Sequence, residues 1–548
     1  MCGILAVFGA VDDAILSRAT AASERLTHRG PDGHGRHYLP GVGALLHRRL
    51  SIMDPASGRQ PLFGRDGAAV VHNGEIYNHA ALRAGLQAAG RVFRTGSDSE
   101  VLAHLFEAQG DAFVDKLDGV FALAALRDDD WLVARDPIGV KPLYYGRDRA
   151  GNLWFASELK VLAGECEWFE VFPPGHVYTR RGGLRRWYER TWLEGQADYR
   201  RDAAGLRERF EAAVDKRLMS DVPLGVLLSG GLDSSLVAAL AARLARRRDP
   251  DARLMSFAIG VDGDSPDLRA ARDVAAFVGT DHHEVRLDLD EGVAALRDIV
   301  WHTESYDIPT VRASIPMYCL SRYIKDQGVK VVLSGEGSDE VFGGYLYFYF
   351  AEGEEAFFRE TVERVKNLHL SDVLRADKST MAHGVEARVP FLDLAFLDLA
   401  MTIDPALKRP LRAEPGREAR MEKALLRAAF ADPADPLLPP AVLWRQKEQF
   451  SDGVGYGWVE RLKAHAEATV SDLHLAEAGR RFPHETPTTK EGYLYRSLFA
   501  ELFPGEHAAR CVRRWVPRWQ ADADSSGRAN PLHNSAVRED RQAARKAR

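Results

Sequence analysis

The amino-acid sequence predicts two domains of different class: a layered α+β domain, then a doubly wound α/β domain on a parallel sheet with a helical C-terminal portion. Three observations carry this. Residues 1–180 break into short apolar runs punctuated by glycine, with two helical stretches between them, as in a layered α+β arrangement. From about residue 206 to 345, strand-like and helix-like segments alternate, as in a parallel sheet with helices on its faces. Residues 346–515 read as mostly helical.

Taken in order, GILAVFG, GVGALLH, AAVVHNGEIYN, VFALAAL and LWFAS are the first-domain strands. HAALRAGLQAAG and SDSEVLAHLFEAQG are its helices, and Ser97 with Glu100 forms a capping-box pattern at the second. The polar segment LEGQADYRRDAAG, residues 193–205, lacks strand character and is read as a linker. Next, VPLGVLL is a strand that runs into the helix SGGLDSSLVAALAARLARRR. LMSFAIGV precedes the helix SPDLRAARDVAAFVG, with Pro266 near its start and Gly279 at its end. HHEVRLDL alternates like a strand, and VKVVLSG is the continuous apolar run of a buried parallel strand. The domains are therefore expected over 2–190 and 206–515. Residues 520–548 have few apolar side chains and are expected to be disordered.

The chain has 548 residues, too many for one core. It is 45% apolar and 28% charged, an ordinary globular composition. A net charge of −6 gives no polyanion-binding surface, so no nucleic-acid partner is expected. The apolar runs are strand-sized, so no membrane partner is expected either. The N-terminus lacks the pattern of a signal peptide. Cys2, Cys166, Cys319 and Cys511 lie far apart without a CxxC pair, which fits a reducing cytoplasm.

Three groups of residues carry chemistry. In LLSGGLDSS, residues 227–235, an apolar strand turns through two glycines into a helix, which makes an anion pocket of N–H groups and a helix terminus. Ser229, Ser234 and Ser235 add hydroxyls, and Asp233 is placed to hold Mg²⁺ on a phosphate. In VVLSGEGSDEVFGGY, residues 331–345, a second strand ends in Ser334, Gly335, Glu336, Asp339 and Glu340. Those acids suit metal binding or proton abstraction, and both loops should face one crevice beyond the strand ends. The third group is N-terminal. Removal of Met1 would give Cys2 a free α-amine beside its thiol, a nucleophile and a base on one residue. Asn73 and the Gly74 N–H are candidate oxyanion donors, and Arg49 and Asp98 are candidates to grip the two ends of an amino acid.

From Cys2 to about residue 515 the sequence resembles the glutamine-hydrolysing asparagine synthetases. The resemblance rests on MCGI, HRGPDG, NGEIYN, TGSD, SGGLDSS, SPDL, LSGEGSDEVFGGYLY, GVEARVPFLD and RQKEQFSDGVGY. It implies an αββα N-terminal-nucleophile glutaminase sandwich joined to an ATP-pyrophosphatase synthetase domain. It implies that Cys2 attacks a glutamine held by Arg49, Leu50, Ser51, Ile52, Met53, Asn73, Gly74, Glu75 and Asp98. It implies that Leu227, Leu228, Ser229, Gly230, Gly231, Asp233, Ser234, Ile259, Ser334 and Gly335 contact ATP. Asp233 and Asp339 would bind Mg²⁺, Glu336 would serve aspartyl-adenylate chemistry, and Arg312 and Lys447 would face substrate or pyrophosphate. Partners would be the small-molecule substrates glutamine, aspartate and ATP, and a second copy of the chain. Two residues depart from the family pattern: Pro309 stands where threonine is expected, and Arg48 where glutamate is expected. The rival readings are a same-family amidotransferase acting on another carboxylate, and a silent nucleotide-sensing relative.

Overall fold

The computed structural model describes residues 2–519 apart from 262–264, 415–417 and 449–452. The tail read as disordered lies outside the described residues. The first half holds twelve strands: β1 Gly3–Phe8, β2 Gly33–Leu39, β3 Gly43–Arg49, β4 Leu62–Phe63, β5 Ala69–Ile76, β6 Gly119–Arg127, β7 Asp130–Arg135, β8 Tyr144–Arg147, β9 Leu153–Ala156, β10 Trp168–Val171, β11 His176–Thr179 and β12 Gly183–Arg186. They form two six-stranded antiparallel sheets, in the orders β10-β8-β9-β1-β3-β2 and β12-β11-β7-β6-β5-β4.

Period-two alternation sorts each strand's side chains between two layers. Ile4, Ala6 and Phe8 of β1 meet Ala69, Val71, Ala122 and Val133 of the other sheet in a core between the sheets. There Phe8 stacks on Trp131 with ring centroids 4.3 Å apart. Leu5 and Val7 face the opposite way, onto the helix Asp13–Ser23. On the far side, Val70, Phe121 and Leu123 pack on the helices His79–Ala88 and Glu100–Gln109. The result is the expected α-β-β-α stack. The capping box is not formed. The second helix begins at Glu100 after Ser99, and the Glu100 carboxylate instead accepts the N–H groups of Arg94 at 2.7 Å and Thr95 at 2.8 Å.

The second half is built on five parallel strands: β13 Leu224–Leu227, β14 Met255–Gly260, β15 Asp281–Arg286, β16 Val331–Leu333 and β17 Glu386–Arg388. Their order is β15-β14-β13-β16-β17. The chain therefore reverses its direction of travel between β13 and β16, where a crevice opens beyond the strand ends. The helices Leu232–Arg248 and Pro266–Val278 cover one face, and Ile308–Asp326 covers the other. Ser265 caps the Pro266–Val278 helix by accepting from the Leu268 N–H at 3.3 Å, and Gly279 ends it in the left-handed conformation at φ +77°.

The halves meet on a buried, charged boundary. Glu304 accepts the N–H groups of Leu159 at 2.8 Å and Lys160 at 2.7 Å. It also pairs with the ammonium of Lys378, from the helix Asp372–Met381. From the same helix Asp377 pairs with Arg29 at 2.8 Å. Among the described residues, no helix is long and apolar enough to cross a membrane.

Candidate active sites

The first site is assembled where β1 begins beside β3 and β5. Cys2 is buried at 7% exposure. Its N–H donates to Asn73 Oδ1 at 2.9 Å, and its carbonyl accepts from Arg29 Nε at 3.1 Å. The thiol points to the Leu50 carbonyl at 3.9 Å. Burial raises the thiol above its ordinary range. Asn73 is fully buried, and among the described residues its Nδ2 has no hydrogen-bond partner. An amide held at its oxygen with its nitrogen free is a ready donor. Gly74 sits at φ +146°, and a Cβ there would come within 1.9 Å of the Val120 carbonyl oxygen. No other residue fits that position.

Around Cys2, the Arg49 guanidinium donates to the carbonyls of Met53, Asp54 and Pro55 at 3.3, 2.6 and 3.1 Å, and so shapes the turn after β3. Ser51 N–H donates to Asp32 at 2.7 Å. Leu50 and Ile52 pack with Val331 and Met381 of the other half, and Met53 lies against that cluster. Asp98 accepts the Ile76 N–H at 2.9 Å. Glu75 pairs with Arg388 at 3.0 Å. Arg48 turns away, to Ser23 Oγ at 3.2 Å and to Glu24, so its departure from the family pattern acts on the Asp13–Ser23 helix.

The second site is the crevice between β13 and β16. Its lining includes Leu227, Leu228, Ser229, Gly231, Asp233, Ser234, Ile259, Ser334, Gly335, Glu336, Asp339 and Lys447. Gly230 lies in the same loop, and its carbonyl accepts from Arg445 at 3.1 Å. The two loops touch: a Cβ on Gly335 would lie 2.8 Å from the Ser234 nitrogen. Asp233 and Asp339 converge on one ammonium, that of Lys423, at 2.5 and 2.6 Å. Lys447 holds the second oxygen of Asp339 at 2.6 Å, and Ser338 Oγ donates to Asp233 at 2.7 Å. Burial alone would raise the Asp339 carboxyl, but Lys423 and Lys447 pull it down to about 2. Glu336 is raised by burial and drawn back by Arg375 at 2.9 Å. Asp233 and Asp339 bring two carboxylates together in the crevice, a pair that could hold a divalent cation; among the described residues, three or more His, Cys, Asp or Glu nowhere gather for one.

Arg312 does not line the crevice. Its guanidinium makes a buried fork with Glu491 at 2.7 and 2.5 Å, which turns it into the helical layer. Pro309 does line it, in the first turn of the helix Ile308–Asp326, where Asp307 caps by accepting from Thr310 N–H at 3.1 Å. Lys423 and Arg375 are functional candidates that the sequence reading missed. MEKALLR and DVLRADK carry no glycine turn like those that mark the two strand-end loops.

The family model for asparagine synthase matches residues 205–359 and 351–525, and that for the glutamine amidotransferase domain matches residues 1–173. Asparagine synthetase (glutamine-hydrolyzing) 3 of Arabidopsis thaliana is 50% identical, over 99% of this chain and 96% of its own length. The asparagine synthetase (glutamine-hydrolyzing) of Triphysaria versicolor is 51% identical, over 96% of this chain and 93% of its own. Identity of that depth along both halves, with the two sites described above, places the chain in the family of glutamine-hydrolysing asparagine synthetases.

Proposed function

We propose that the chain amidates aspartate to asparagine, taking nitrogen from glutamine and driving the step with ATP, which leaves as AMP and pyrophosphate. In the first domain, residues 2–190, Cys2 is the nucleophile once Met1 is removed. Its α-amine, with an ordinary pKa near ~8, takes the thiol proton. The thiolate adds to the side-chain carbonyl of a glutamine held by residues 49–53, Asn73, Gly74, Glu75 and Asp98. Asn73 Nδ2 and the Gly74 N–H donate to the oxyanion; the unpartnered Nδ2 supports this role. Collapse gives a γ-glutamyl thioester and ammonia, with the amine returning its proton to the leaving nitrogen. Water, deprotonated by the same amine, then frees glutamate.

In the second domain, residues 206–515, the side-chain carboxylate of aspartate attacks the α-phosphorus of ATP. Pyrophosphate departs and β-aspartyl-AMP remains. Ammonia attacks the activated carbonyl and AMP leaves. Adenylation comes first because a carboxylate offers ammonia no adequate leaving group. Ser229, Ser234 and Ser334 bind phosphate oxygens, Lys447 faces the pyrophosphate, and Glu336 manages the proton at the aspartyl end. Asp233 and Asp339 would hold Mg²⁺, which neutralises charge on the phosphates. Their hard oxygen donors fit it, and two carboxylates leave the rest of the shell to phosphate and water. The chain acts in the cytoplasm, where its four unpaired cysteines stay reduced. By resemblance to its family it pairs with a second copy.

The observation that carries this reading is the meeting of the two strand-end loops, Asp233 against Asp339, in one crevice. The test is incubation with aspartate, glutamine and MgATP. Asparagine, glutamate, AMP and pyrophosphate should appear in equal amounts. Pro309, which replaces a hydroxyl-bearing residue in the crevice wall, favours a second reading with another carboxylate as acceptor. AMP formation with such an acceptor and none with aspartate would establish it.

A further inference from the structure

We propose that the glutamine site is completed by the other domain: Arg388, on the edge strand of the parallel sheet, is a positioning residue that acts through Glu75. The inference rests on the reading of Glu75 as part of the glutamine site.

All three residues of β17 are buried although two are charged. Nothing in the parallel sheet requires charges there, since β17 pairs with β16 through its backbone, Leu333 opposite Arg388. The charges face the first domain instead. Arg388 is 1% exposed; its Nε and Nη1 are hydrogen-bonded, and its Nη2 makes an ion pair rather than a hydrogen bond among the described residues. Nη2 meets Glu75 Oε1 at 3.0 Å, Nε meets Glu386 Oε1 at 2.5 Å, and Nη1 donates to the carbonyls of Arg217 at 2.8 Å and Met219. A planar fork fixed this way is a rigid support.

Glu75 is the residue it supports. It is 3% exposed and follows directly on Asn73 and Gly74 at the end of β5. One oxygen goes to Arg388, and among the described residues the other, Oε2, has no hydrogen-bond partner. A buried carboxylate oxygen left free next along β5 from Asn73, which itself bonds the Cys2 N–H, is placed to accept an N–H of glutamine. Burial pushes the Glu75 carboxyl well up, and Arg388 is the first charge opposing that. Without the guanidinium, Glu75 loses the ion pair that orients it and turns away, and Oε2 no longer faces the substrate. The catalytic residue is tied to the same domain from its other side, because Arg29 bonds the Cys2 carbonyl and pairs with Asp377.

The prediction inverts the usual expectation: a substitution in the synthetase sheet should damage the glutaminase. Arg388→Met is assayed for synthesis with glutamine and, separately, with ammonium chloride. The KM for glutamine should rise about tenfold or more while ammonia-dependent kcat stays within about twofold. Combining it with Glu75→Gln should give a penalty smaller than the product of the two single penalties, since both break one contact. Should Arg388→Met melt early and lose both activities, Arg388→Lys serves, because it keeps the charge but reaches fewer acceptors. Its KM for glutamine should rise with ammonia-dependent synthesis intact. An unchanged KM for glutamine in the folded variant, or singles that multiply in the double, would overturn the proposal. If the unaltered chain makes no asparagine from either nitrogen source, the functional reading itself fails, so the two failures are distinguishable.

Discussion

Replacing Lys423 by methionine removes the ammonium between Asp233 and Asp339 and keeps most of the side chain's volume. Lys423 is 2% exposed, and the two acids are 13% and 14% exposed. Breaking a buried ion pair while leaving its partners charged costs about 3–5 kcal/mol. Lys447 and Ser338 still support one oxygen of each acid, so the low end, about 3 kcal/mol, applies. For a domain of this size a deficit of that order lowers the melting temperature by about 6 °C. MgATP brings its own cation to the same carboxylates, so most of the deficit should vanish when it is present. The assay is thermal unfolding of both proteins, each with and without MgATP. A deficit of equal size in the two conditions would mean that lysine and metal do not share the carboxylates, and no deficit at all would mean that the cluster is not held by charge.

Cys2→Ala should abolish glutamine-dependent synthesis and spare ammonia-dependent synthesis, measured as asparagine formed; equal loss of both would refute separate sites. Glu336→Gln should slow aspartate-dependent ATP–pyrophosphate exchange by about a hundredfold, the scale of a positioned acid–base group, with glutaminase activity unaffected. Asp233→Asn and Asp339→Asn should each raise the Mg²⁺ needed for half-maximal synthesis, and the double variant should be less than additive because both disable one site. Asp339 also sets an acid limit. Its folded pKa of about 2 lies below the ordinary 3.8, so its stabilisation is complete above the ordinary value. That stabilisation, roughly 2 kcal/mol, is lost as pH falls through the folded value. Acid unfolding of nucleotide-free Lys423→Met should be correspondingly shallower in that window.

About half of the strands were legible, and those because their physics is local. GILAVFG and AAVVHNGEIYN alternate between two layers, and Val331–Leu333 within VKVVLSG is apolar throughout because both its faces are covered. Pro266 and Gly279 marked a helix because each has a backbone preference that needs no partner. What escaped was non-local. β17 is three residues, two of them charged, and its strand character comes from β16 while its charges are explained by Glu75 in the other domain. Lys423 reaches Asp233 from 190 residues away in sequence, and no window of neighbours contains that fact. The Arg312 fork with Glu491, 179 residues on, was invisible for the same reason. Ser97 and Glu100 had the spacing of a cap, but the carboxylate found better donors in Arg94 and Thr95.

The helix Asp372–Met381 limits how the protein can be divided. Along ten residues it sends Arg375 to Glu336, Asp377 to Arg29, and Lys378 to Glu304 and Tyr144. A cut in the segment 193–205 would leave one fragment with Arg29 and Glu75 stripped of Asp377 and Arg388, and the other with the complementary charges newly wetted. The halves are therefore not interchangeable cassettes. Fragments expressed apart should be drawn back together, and because the pairs that join them are sealed from solvent, that reunion should tolerate salt that dissolves ordinary surface attractions.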